Sequence, residues 1–146
     1  MTAPSFTATD LFNEGFNCSQ SVLCSIPGRF DIPRQVLLKL AAPFGGGMGR
    51  MGEVCGAVAG ALMAIGLTAG FSTPGDDEAK LATYQMVREF ARRFRERNGS
   101  ILCHELLGIR IDSPEGLQKV RDLGLIETKC AKYVRDAAEL VGALLV

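Results

Sequence analysis

Apolar residues recur at helical spacing along most of the chain, and no run of β-branched residues alternates with polar ones long enough to make a strand. The pattern predicts an all-α protein, a compact multi-helix bundle. Thr7 or Thr9 is placed to cap a first helix ending near Gly15. Asn17 and Gln20 form a capping-box pattern for a second helix, which stops before Pro27 and Gly28. Asp31, Ile32 and Pro33 open a third, PRQVLLKLAAPF, with Pro43 near its end.

The next stretch, FGGGMGRMG at residues 44–52, holds too much glycine to be helical without a large entropic cost. It reads as a tight loop with several positive φ angles and amides free to point into a site. A fourth helix follows, from roughly Gly52 to Leu67, buried and rich in Gly and Ala. Its Gly56, Gly60 and Ala64 repeat every four residues, a smooth strip that another backbone can approach closely.

DDEAKLATYQMVREFARRFRERNGS begins with acids, ends with arginines and stops at Asn98 and Gly99, as the helix dipole and a left-handed C-cap favour. Leu81, Tyr84, Val87, Ala91 and Phe94, widened by Met86 and Phe90, form the stripe expected to face inward. Arg88, Arg92, Arg93, Arg95 and Arg97 alternate with Glu89 and Glu96, which marks a solvated face rather than a phosphate-binding one. Ser100 is expected to cap ILCHELLG, Ser113 with Pro114 to start a further short helix, and Thr128 to start the last, KCAKYVRDAAELVGALLV.

Length and composition narrow the class. At 146 residues and 47% hydrophobic, the chain suits one domain, residues 1–146, with one core. Sixteen basic residues balance sixteen acidic ones, so no charge footprint points to nucleic acid or an anionic membrane. Val54 to Gly75 is free of charge and long enough to raise membrane insertion. Its glycines, its polar end at Ser72 to Gly75 and the lack of aromatic and basic anchors favour a buried helix instead. The opening residues carry no basic segment followed by an apolar one, so a cytoplasmic location is expected. Thiols stay reduced there, which makes five cysteines more readily catalytic, redox-active or metal-binding than permanent disulfides.

Set beside the predicted caps, the cysteines form the most informative pattern. Cys18, Cys55, Cys103 and Cys130 each fall in a first helical turn, where unpaired amides and the positive helix end favour a thiolate. Cys24, at the far end of a short helix, is expected to be a small core residue. No Cys-x-x-Cys occurs, which argues against a thioredoxin-type motif or a zinc knuckle, and no Cys-x-x-Cys-His for covalent haem attachment. Dispersed cysteines at helix starts can share a site only if those helix ends converge. The product would hold reactive thiols, a polynuclear iron–sulfur centre or one soft metal.

FNCSQSVL, FGGGMGRMGEVCGAVAGALMAIGL, CHELLG and CAKYVRDAAELV, in that order, resemble the redox-active family named for a C…CGAxxG…C…C pattern. The likeness covers almost the whole chain and places the motif on Cys55, Gly56, Ala57 and Gly60. By resemblance, the other family cysteines are Cys18, Cys103 and Cys130; Cys24 stands outside the pattern. The resemblance implies a small soluble prokaryotic protein with a redox role, in a family often encoded near transporters. That implies a link to a transport system. The family is also similar to a region of split-Soret cytochromes, which brings cluster binding into view.

Two functions follow. One is thiol/disulfide exchange with a redox partner protein, in which Cys55, accessible beside flexible glycines, is the attacking thiol. It requires at least one cysteine pair with Cα atoms within about 7 Å. The other is a binding module whose metal ligands are Cys18, Cys55, Cys103 and Cys130, holding an iron–sulfur cluster or another thiolate-bound metal. Gly46, Gly47, Gly49, Gly52 and Gly56 are then the cofactor-binding candidates, through amide hydrogen bonds and close backbone approach. His104, the one histidine, points about 100° away from Cys103 on a helix and is expected to be exposed. No hydrolase or nucleotide-binding motif stands out. The apolar tail ELVGALLV needs cover, from within the chain or from a homodimer partner.

Overall fold

The computed structural model describes residues 3–26 and 30–146, and the expected helix stop at Pro27 and Gly28 lies outside them. The described residues form eight right-handed helices: α1 (Pro4–Glu14), α2 (Cys18–Leu23), α3 (Arg34–Ala41), α4 (Gly56–Ala69), α5 (Asp77–Asn98), α6 (Cys103–Leu107), α7 (Pro114–Asp122) and α8 (Ala131–Leu144). A 3-10 turn, Ala42–Phe44, follows α3, and a π-helical turn, Ile126–Cys130, leads into α8. The all-α expectation holds.

Local chemistry explains several boundaries. In the Asn17 capping box, Asn17 Oδ1 accepts from the Gln20 amide at 3.0 Å, and Gln20 Oε1 accepts from the Asn17 amide at 3.1 Å. Asp76 caps α5 through the Ala79 amide, Gly99 ends it at φ 90°, and Ser113 caps α7 through the Gly116 amide. Other expected caps shift. α1 begins at Pro4, so Thr7 and Thr9 lie inside it with their hydroxyls on the Ala3 and Ser5 carbonyls. Leu102, not Ser100, is the N-cap of α6; the Ser100 hydroxyl accepts from the Leu102 amide and donates to Glu105. Thr128 caps nothing, because the helix is already under way there and its hydroxyl donates back to Gly124.

α4 and α8 form the centre. α4 is buried almost all round from Gly56 to Ala61, and α8 buries Tyr133, Val134, Ala137, Ala138, Leu140 and Val141. α2 lies against both helices, and α1 packs along α8. Within the chain, Leu140, Val141 and Leu145 of the apolar tail are buried, whereas Val146 is fully exposed. From α5, fully buried Phe90 and Phe94 close the core, each ring worth about 1.5–3 kcal/mol of burial. The N-terminal half of the expected α5 stripe does not reach the core, since Leu81 and Tyr84 are 59% and 51% exposed. The arginine face is solvated, as expected: Arg92 and Arg93 pair with Glu89, and Arg97 pairs with Glu139. Among the described residues no helix is long and apolar enough to cross a membrane.

The Gly60 position shows why α4 carries glycine. A Cβ there would stand 2.5 Å from the Ser19 carbonyl oxygen, so the strip of small residues lets the α2 backbone lie directly on α4. That contact fixes the helix whose first residue is Cys18.

Candidate functional site

Four cysteines from four separate segments meet around one cavity of about 430 Å³, lined by Cys18, Cys55, Cys103 and Cys130. Cys24 is absent from it; half-buried, it forms the C-cap of α2 and packs against the main core. All five are free thiols.

Each cysteine is placed by a different device. Cys18 is the first residue of α2, behind the Asn17 capping box. Asn17 Nδ2 also donates to the Ala42 carbonyl and Gln20 Nε2 to the Leu38 carbonyl, which ties this helix start to the end of α3. Cys103 is the first residue of α6. Cys55 lies before its helix, as the N-cap of α4, because α4 starts four residues later than the sequence pattern indicates. Residues 52–55 stay outside the helix instead, Gly52 at φ 74°, and hydrogen-bond to residues 101–104. The Cys55 amide donates to the Ile101 carbonyl at 2.8 Å, and the Cys103 amide to the Glu53 carbonyl at 2.6 Å. An isolated bridge between Val54 and Leu102 joins the two segments. Cys130 ends the π-helical turn, inside a continuous helical path rather than at a fresh helix start. Such a wide turn re-aims the side chains that follow it, and π-turns recur at functional sites.

The glycine loop is a left-handed turn. Gly46, Gly47, Met48, Gly49 and Arg50 all have φ between 63° and 70°. For Met48 and Arg50 this conformation costs roughly 1–2 kcal/mol each. Space requires it: a Cβ on Gly47 would stand 2.6 Å from Cys103 Cβ and 2.8 Å from the Glu53 amide nitrogen. A Cβ on Gly56 would meet the Phe44 carbonyl oxygen at 2.9 Å and Cys18 Cβ at 3.1 Å. Of the glycines expected to serve a cofactor, Gly46, Gly47, Gly49 and Gly56 line the cavity and Gly52 does not. Gly52 anchors the loop by its carbonyl, which accepts from the His104 amide and lies 2.7 Å from His104 Nδ1. His104 is accordingly half-buried and hydrogen-bonded, not the exposed residue expected.

The expected thiolate preference at helix starts is overturned at three of the four positions. The thiols of Cys18 and Cys130 hydrogen-bond one another, and this bond raises Cys18 well above the ordinary thiol range, with burial and the charges of the other three cysteines adding to it. The same bond lowers Cys130, against burial and the nearby Glu127 carboxylate. Burial pushes Cys55 up to about 11, although the Val58 and Ala57 amides act in the opposite direction. Burial pushes Cys103 up to about 12, with Cys55 and Cys130 adding to it. Dry surroundings therefore outweigh the helix dipole. Nor is Cys55 accessible: it is 4% exposed, whereas Cys18 and Cys130 are both half-buried.

Tyr133 is a site residue that sequence reasoning missed. It lines the cavity, its hydroxyl donates to the Leu106 carbonyl at 2.8 Å, and its ring lies 6.2 Å from Phe94. It clamps α6, and with it Cys103, to α8. One signal existed: Tyr133 is three residues after Cys130 and so on the same helix face. Among the described residues, no group of three or more His, Cys, Asp or Glu side chains is arranged to hold a metal ion.

Comparison with known proteins identifies a family. The model of the family described as "Putative redox-active protein (C_GCAxxG_C_C)" matches residues 16–144. Where the printed motif has Gly-Cys-Ala-x-x-Gly, this chain has the first two residues in the other order: Cys55, Gly56, Ala57, Val58, Ala59, Gly60. No curated protein and no solved structure matches the chain.

Proposed function

The chain belongs to this redox-active family, and from that premise we propose that it stores and transfers an electron pair through Cys18 and Cys130. One observation carries the reading: Cys18 and Cys130 line the shared cavity and are its two half-buried thiols, whereas Cys55 and Cys103 are buried; the neighbouring sulfurs raise Cys18 and lower Cys130. A pair with one low and one high member is the arrangement that attack followed by resolution needs. The Cys130 thiolate attacks one sulfur of a disulfide, a mixed disulfide forms, and the leaving sulfur departs as a thiol after protonation. Cys18 then loses its proton and attacks the Cys130 sulfur, releasing the second thiol. In sum two protein thiols become one disulfide, and one disulfide becomes two thiols. Cys55 and Cys103, buried and held protonated, keep the cavity dry and stay out of the exchange.

The test is mild oxidation of the reduced protein with hydroxyethyl disulfide, followed by proteolysis and mass mapping. A Cys18–Cys130 link, with Cys55 and Cys103 still alkylatable after unfolding, supports the proposal. A Cys55–Cys103 link, or no intramolecular link, overturns it.

A second reading is favoured by a different observation. Cys55 and Cys103 line the same cavity as the pair, beside Gly46, Gly47, Gly49 and Gly56, which is the ligand number and backbone proximity an iron–sulfur cluster uses. Cys18, Cys55, Cys103 and Cys130 would then hold the cluster, and it would supply one-electron transfer. The two readings differ in whether Cys55 and Cys103 are spectators.

A further inference from the structure

The thiol cavity carries a charge pattern that exchange at Cys18 and Cys130 does not by itself require. Among the described residues, Arg50 and Arg121 are the only formally charged ones lining it, and no Asp or Glu lines it. The two stand on different elements, Arg50 in the left-handed turn and Arg121 in the last turn of α7. Among the described residues neither forms an ion pair, as is also true of Arg34, Arg88 and Arg95, none of which lines the cavity, whereas Arg92, Arg93, Arg97, Arg110 and Arg135 each lie against a carboxylate. In a chain whose charges sum to zero, this is a local positive excess on the cavity lining.

Arg50 is also specifically built in. It is a non-glycine residue at φ 67°, and a Cβ on Gly46 would stand 2.7 Å from Arg50 Cγ. Gly46 is therefore what allows the arginine stem to lie along the turn. The cavity, about 430 Å³, falls within the range of small-molecule sites, about 300–1,000 Å³. Its remaining lining is mostly apolar side chains and glycine backbone.

We infer that the site takes a small anionic disulfide, whose carboxylates meet Arg50 and Arg121 while its sulfur–sulfur bond reaches the Cys18–Cys130 pair. This rests on the thiol-pair reading and adds the substrate class. Arginine suits the task because its planar, permanently charged fork matches a carboxylate. The exchange balances: the substrate S–S bond breaks, the Cys18–Cys130 bond forms, and the substrate leaves as two small thiols carrying the two protons the protein gives up.

The test compares oxidation of the reduced full chain by three disulfides at low salt: oxidised glutathione (anionic), hydroxyethyl disulfide (neutral) and cystamine (cationic). Each rate is divided by that of dithiothreitol with the same reagent. The normalised rate for oxidised glutathione should exceed that for cystamine by about tenfold or more, and added salt should shrink the gap. Arg50→Gln and Arg121→Gln should each lower the ratio of the glutathione rate to the hydroxyethyl rate, and Arg50→Lys should restore most of it. Equal normalised rates, or a ratio unmoved by both substitutions, overturn the inference. Calorimetry with S-methylglutathione, which has no disulfide, separates this inference from the reading beneath it. If no reagent oxidises the pair, the thiol-pair reading fails. Recognition of the anion then stands if S-methylglutathione binds and Arg50→Gln weakens it, and falls if it does not bind.

Discussion

Replacing Gly60 by alanine tests how α2, and with it Cys18, is held. A Cβ at Gly60 would stand 2.5 Å from the Ser19 carbonyl oxygen, 3.1 Å from Ser19 Cα and 3.2 Å from Ser19 C. All three are backbone atoms and cannot rotate away. Ordinary contact begins near 3.4 Å, so α2 must move by about 0.9 Å or the helices must separate. Overpacking of this kind costs about 1–3 kcal/mol, with the upper end expected for a backbone obstacle. Alanine returns about 1 kcal/mol through its higher helix propensity, leaving Gly60→Ala about 2 kcal/mol less stable. Gly66 is the internal control, since it lies in the same helix, is exposed, and a Cβ there meets nothing within 4 Å. Gly66→Ala should gain up to about 1 kcal/mol. Urea unfolding followed by far-UV circular dichroism reads both. Gly60→Ala should also slow formation of the Cys18–Cys130 link, because the displaced helix carries Cys18. If both variants shift stability in the same direction by the same amount, the close approach of α2 to α4 is refuted.

Three further outcomes follow from the thiol environments. Cys55 and Cys103, whose ordinary value is 9.0, are raised in the folded state to about 11 and about 12, so their contribution to stability is full below pH 9 and lost as pH rises through 11 to 12. The unfolding free energy of the reduced protein should fall over that window. Cys55→Ala should remove about 3 kcal/mol of the fall, and an equally steep curve would contradict the assignment. Cys18→Ala removes the hydrogen-bond donor to Cys130, so the midpoint of Cys130 alkylation against pH should rise. Cys18→Ser supplies a hydroxyl donor and should bring the midpoint back down. Cys24→Ser should leave oxidation of the thiol pair unchanged; loss of the Cys18–Cys130 link in that variant would show that Cys24 belongs to the site.

What could be read from the sequence was local. The Asn17–Gln20 box, the Ser113 cap and the Gly99 stop depend on residues within a few positions of each other, and all three form. The glycine loop was legible as a region of positive φ, but a left-handed turn continuing through Met48 and Arg50 was not. Misses came where distant segments decide. α4 starts late because residues 52–55 pair with 101–104, and four residues are too few to show an alternating pattern. The π-helical turn before Cys130 leaves no compositional mark. Thiol acidity went astray at Cys18, Cys55 and Cys103 for a related reason. A helix start is visible in sequence, whereas the desolvation that outweighs it depends on everything packed around it. Stripe arguments overreached at Leu81 and Tyr84, where α5 extends past the core that would have buried them.

The most direct test of the thiol-pair account is an absorption spectrum of protein purified without oxygen, with iron, acid-labile sulfide and free thiols counted on the same sample. The spectrum and counts are repeated after anaerobic incubation with iron and sulfide. The account predicts a colourless protein with no stoichiometric iron before or after that incubation, five titratable thiols when reduced, and the loss of two of them on oxidation. Visible charge-transfer bands with stoichiometric iron and sulfide, and thiols at Cys55 and Cys103 protected along with Cys18 and Cys130, would contradict it and establish the cluster reading.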